Sequence, residues 1–229
     1  VREADEEPTP EVRNQIAGLL NRIIDLDPSD NRAKTKLARI ALIDGFIDRA
    51  FALSETVLET EPENVDALVI SGGALLRLED SANATYRATS AFAIDPENLD
   101  AQLILVVERI IAEDLDGAIA LIDERSSEGE PNLALSLIKI QTLEQMEDID
   151  GAIAIYEQLI ALEEDDVELR RSYAGFLVRN NRVEPGREVM QSLVAEYPED
   201  AEAVAGLIGL VLATEGNPAA QMELQSFID

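Results

Sequence analysis

The 229-residue chain carries 18 Lys plus Arg against 47 Asp plus Glu, a formal charge of −29, and has neither His nor Cys. That balance argues against nonspecific nucleic-acid binding, which needs cations to displace counterions, and against bulk docking on anionic lipid. Missing imidazole and thiol groups remove disulfides, thiolate nucleophiles, His general bases and N/S metal sites.

Apolar residues make up 46% and aromatics only 4%, and the dominance of Ala, Leu and Ile favours helices over sheets. In chain order, residues 1–9 read as a solvated acidic lead-in, and residues 10–26 as a lone amphipathic helix. Asp27-Pro28-Ser29-Asp30 then supplies a helix stop and cap. From Asn31 onward the sequence repeats. Pro28, Pro62 and Pro96 stand 34 residues apart, and the phase continues through Glu130, Glu164 and Pro198. Twelve residues before each comes a mostly small residue: Ile16, Ala50, Ala84, Ala118, Ala152 and Gly186, with Ala220 one step further. Positions four and seven residues later fall on the same helical face.

The phase predicts six units starting near Asn31, Val65, Leu99, Leu133, Val167 and Ala201, each of two amphipathic helices. Gly45, Asn83, Asp116-Gly117, Asp150-Gly151, Glu184-Pro185-Gly186 and Gly216-Asn217-Pro218 are read as the turns within units. Lys139 and Arg125 occupy positions that are normally apolar. One hairpin cannot bury its apolar face alone, so neighbours must stack.

This pattern resembles the tetratricopeptide repeat, whose signature is W-x2-L-G-x2-Y, then A-x3-F, then P. The match runs from about residue 10 to the end of the chain, although the Trp is absent throughout. The resemblance implies an all-α, right-handed superhelical solenoid of antiparallel hairpins. Residues 10–229 then form one array that acts as a protein–protein interaction scaffold, not as an enzyme. In the family, first helices line a concave groove. Segments 137–144 and 150–160 are also similar to Ala-rich repeat proteins of bacterial envelopes, which leans the location toward an envelope or periplasm without excluding the cytoplasm.

Carrying the family's inward positions over, the second and third units present an apolar strip of Val69, Leu76, Leu103, Val107 and Ile110. Either this strip receives a partner's peptide or amphipathic helix, or the superhelix covers it itself. Arg32, Lys36 and Arg39 share one helical face. They either bind a partner carboxylate or balance local acids. The fifth unit adds Arg171 and Arg179 to the groove. Some family members grip a chaperone's terminal carboxylate through Asn residues at two set places, but Arg39 and Ile70 stand there in this chain.

No catalytic residue, metal site or cofactor is assigned. Asp148-Ile149-Asp150-Gly151 looks like part of a calcium loop, but Met146 holds the first ligand position and offers no carboxylate. No apolar run approaches the roughly 18 residues of a membrane span, so this segment is not expected to insert directly. Both ends of the array read as incomplete. That leaves room for homo-oligomerisation through uncapped helices, or for a role as the targeting arm of a larger protein.

Overall fold

A computed structural model of the chain describes residues 8–126, 131–163 and 165–227, which hold thirteen α-helices and no strand. It divides into two compact units, Val1–Leu121 and Ile122–Asp229. The first contains α1 (Pro10–Leu26), α2 (Asn31–Ile43), α3 (Ile47–Leu58), α4 (Val65–Arg77), α5 (Ser81–Ile94) and α6 (Leu99–Ile111). The boundary falls within α7 (Leu115–Ser126). The second continues with α8 (Leu133–Gln145), α9 (Ile149–Leu162), α10 (Val167–Arg179), α11 (Val183–Glu196), α12 (Ala201–Glu215) and α13 (Asn217–Ser226).

The helices start where they do because each first helix of a hairpin has a dedicated N-cap. Asp30, Asn64, Asn98, Asn132, Asp166 and Asp200 stand 34 residues apart, and each accepts a backbone N–H three residues on, from Ala33 through to Ala203. Each bond satisfies one of the N–H groups that a helix start leaves without a partner. Asp80, Asp114 and Asp148 cap α5, α7 and α9 in the same way, whereas α3, α11 and α13 start without a side-chain cap. Asp148, considered above for a calcium loop, is therefore occupied with the Gly151 N–H at 3.0 Å.

The turns read at Gly45 and Gly216 fall where expected, both at positive φ, but those read from Asn83, Asp116, Asp150 and Glu184 onward lie three or four residues earlier. Gly117 and Gly151 sit in the first turns of α7 and α9. In those four hairpins the chain reverses at Glu79, Glu113, Glu147 and Asn181, which have φ between 60° and 62°. None of the four is glycine, so these hairpins hold a left-handed conformation that L-residues adopt at a cost.

The small residues of the repeat form the seam between paired helices. Ala50, Ala84, Ala118 and Ala152 are fully buried. In the first unit, Ala38, Ala41, Ala50 and Ile70 pack together, and Ala84, Ala88 and Ala91 join Val57, Leu68 and Ile104. In the second, Ala174, Met190, Leu193, Leu207 and Val211 form the core beside a ring cluster in which Tyr156 stacks on Tyr173 at 5.1 Å. Lys139 keeps its place on α8 by giving its ammonium to Asp123, so the aliphatic stem packs and the charge is met. The Arg125 side chain lies outside the described residues, as do positions 1–7 of the acidic lead-in.

Candidate partner-binding groove

Three first helices, α2, α4 and α6, lie side by side in the first unit and enclose an open pocket of about 390 Å³. Its walls are Leu42 and Ile43 from α2, Val69 and Leu76 from α4, and Leu103 and Val107 from α6. These side chains recur at the same positions of successive 34-residue units, and parallel packing brings them onto one face. Gly73 sits between them, and a Cβ there would come within 3.2 Å of Leu42 Cδ2. The missing side chain leaves the middle of the pocket open.

One end of the pocket is polar. The Arg39 guanidinium donates from Nη2 to Asp66 Oδ1 and from Nη1 to Asp100 Oδ2, each at 2.8 Å. Burial works against its charge, but the Asp100 and Asp66 carboxylates outweigh it and hold the group above its ordinary pKa. The ladder ties α2 to α4 and α6 and leaves one oxygen of each carboxylate free of Arg39. The other end carries Arg77, an exposed cation with no ion pair among the described residues.

The sequence-derived site residues separate accordingly. Arg39, Val69, Leu76, Leu103 and Val107 meet in the pocket. Val69 is a correction to the exposed strip: only 2% of it is accessible, so it is floor, not surface. Ile110, partly buried in the last turn of α6, lies outside the pocket lining. The basic trio does not act as one cluster. Arg39 is satisfied by acids from two neighbouring helices, whereas Arg32 and Lys36 stand exposed on α2, outside the pocket and without an ion pair among the described residues. Arg171 and Arg179 belong to the second unit, where they pair with Glu202 and, at 3.8 Å, with Glu144. Sequence reasoning passed over Asp66, Asp100 and Arg77 as site residues, although each falls at an inward position of the repeat.

The second unit has a pocket of its own, of about 510 Å³, between α9, α10 and α11. Its apolar walls are Ile160 and Val189, and Tyr173 donates to Glu157 Oε1 at 3.3 Å on its margin. Burial, with Glu157 adding to it, pushes the Tyr173 phenol up to about 12. Arg170 at the same place is paired with Glu196. Among the described residues no helix is long and apolar enough to cross a membrane.

The tetratricopeptide repeat family profile matches residues 143–211. Among solved structures, a thermophilic TPR protein from Thermus thermophilus aligns at a TM-score of 0.65 and 19% identity, covering 73% of this chain and 92% of that one. A tetratricopeptide repeat protein from Parabacteroides merdae aligns at 0.66 and 14%, covering 95% and 86%. YrrB, a TPR protein with an unusual peptide-binding site, aligns at 0.52 and 15%, covering 82% and 97%. No curated protein is similar enough to match the chain. At these identities the likeness establishes the fold, a helical-repeat solenoid like those of tetratricopeptide repeat proteins, and the repeat profile itself is matched over residues 143–211.

Proposed function

We propose that the chain is a protein-binding scaffold whose first unit takes a peptide or helix of a partner in the α2–α4–α6 groove. The observation that carries this reading is the composition of the groove: an apolar pocket with a fixed polar ladder at one end and an exposed cation, Arg77, at the other. Apolar walls supply affinity by leaving water, and the two ends supply register and direction. Helices in grooves are a recurring mode of peptide recognition, and the similarity to YrrB, itself a TPR protein with a peptide-binding site, supports the same reading.

The test is affinity capture from a source-cell lysate with the wild-type chain and a Leu76→Ser, Val107→Ser double variant as baits. Both residues are only partly buried in the groove, so the variant should keep most of its thermal stability. Loss of specific captured proteins by a folded variant is the expected result. Identical capture by both baits would refute the groove.

A further inference from the structure

The α2–α4–α6 groove changes sign from end to end. At one end Asp66 and Asp100 each give one carboxylate oxygen to Arg39 at 2.8 Å. Their side chains are 63% and 46% exposed, and neither has a second partner among the described residues. The other oxygen of each is open to an incoming donor. Two carboxylates against one guanidinium leave this end negative.

At the other end the last residues of the three helices form a row, Ile43, Arg77 and Ile111. Ile43 and Ile111 are 48% and 56% exposed, and Arg77 stands exposed on the middle helix. The group that complements this cation is a carboxylate. Between the two ends the lining is apolar, and it is deepest at Gly73, where a Cβ would come within 3.2 Å of Leu42 Cδ2.

Length and width set the form of an occupant. From Asp66 to Arg77, α4 rises roughly 16 Å at about 1.5 Å per residue. Spread along that length, about 390 Å³ makes a channel roughly 5 Å across, against about 10–12 Å for a helix with its side chains. An extended chain covers the same length in about five residues, at about 3.3 Å each, and turns alternate side chains to the same side.

Building on the groove proposed above, we infer that its occupant is an extended segment of another protein in which a basic, an apolar and an acidic residue alternate with residues of any kind. The basic side chain meets Asp66 and Asp100, the apolar one fills the space over Gly73, and the acidic one meets Arg77. The intervening side chains point to solvent. The reverse order fits equally with the chain direction turned round. A second copy offers no such segment among its described residues, where every apolar run lies inside a helix.

Three capped peptides test this by NMR chemical-shift titration of the isotope-labelled chain: Lys-Thr-Leu-Thr-Glu, Lys-Thr-Leu-Thr-Lys and Glu-Thr-Leu-Thr-Glu. The mixed peptide should bind about three- to ten-fold tighter than either uniform one, by a margin that narrows as salt rises. Its shifts should centre on the amides of Gly73 and Arg77. Attraction to the −29 charge alone would instead put the doubly basic peptide first, and that ranking would overturn the inference. Arg77→Glu should make the doubly basic peptide the tightest. Asp66→Asn with Asp100→Asn should give first place to the doubly acidic peptide, because Arg39 then meets it unopposed. The substituted side chains are largely open to solvent, so thermal melts should show both variants folded. Equal binding of all three peptides, abolished by Leu76→Ser with Val107→Ser, would overturn the charge order and leave the groove standing. No binding of any peptide would remove groove and occupant together.

Discussion

Gly186 and Gly209 are both helical glycines of the second unit, and the structure assigns them opposite responses to the same methyl group. A Cβ on Gly186 would stand 2.8 Å from Val178 Cγ2, 2.9 Å from the Ala174 carbonyl oxygen and 3.3 Å from Leu177 Cβ. Two of these are a backbone atom and a Cβ, and the third is on a stiff β-branched side chain, so α10 and α11 must separate to admit it. Overpacking of this kind costs about 1–3 kcal/mol, against a helix-propensity gain of at most about 1 kcal/mol. Gly186→Ala should therefore be destabilising by roughly 1–2 kcal/mol. A Cβ on Gly209 would meet nothing within 4 Å, so Gly209→Ala should keep the whole propensity gain and stabilise by about 0.5–1 kcal/mol. Urea midpoints at unchanged slope measure both. A rise in midpoint for Gly186→Ala as large as that for Gly209→Ala would show that α10 and α11 do not approach as closely as described.

Other substitutions probe the seam, the ladder and the ring cluster. Ala118→Leu and Ala152→Leu place a large side chain at fully buried positions and should each cost about 1–3 kcal/mol, read from denaturant midpoints. Arg39→Met removes two ion pairs whose carboxylates are 63% and 46% exposed, so it should cost under about 2 kcal/mol and less at high salt; thermal melts at two ionic strengths check this. Tyr173 titrates higher in the folded chain than its ordinary 10.0, so the unfolded chain releases its proton first as pH rises. Stability should then be full below pH 10 and decline as pH climbs toward about 12, a decline that Tyr173→Phe should lessen in urea midpoints measured across that range.

The all-helical repeat was legible because small and apolar side chains recur in phase, and that phase is a property of the sequence alone. Gly45 and Gly216 were placed correctly, and the other four turns were misplaced for a local reason. Asp116-Gly117 and Asp150-Gly151 have turn-forming composition, yet the left-handed residues are Glu113 and Glu147, a type that sequence reasoning does not associate with positive φ. The apolar lining of the groove was readable as inward positions, but burial was not: Val69 is closed over by its neighbours and Leu76 is not. The fate of Arg39 depended on acids 27 and 61 residues away, and its sequence neighbours Arg32 and Lys36 gave a misleading impression of a single basic patch. Arg77 was already among the inward positions of the second unit, and only the structure shows it exposed at the pocket.

The caps at Asp30, Asn64, Asn98, Asn132, Asp166 and Asp200 have a consequence for how such a chain can change. The atoms that tell each hairpin where to begin are set apart from those that line the α2–α4–α6 pocket. Punctuation and vocabulary are thus written in separate letters. Wall residues such as Leu76 and Val107 can be exchanged for others of similar volume while every helix still starts at its own cap. A scaffold built this way can acquire a new binding preference by point substitution, without relearning how to fold.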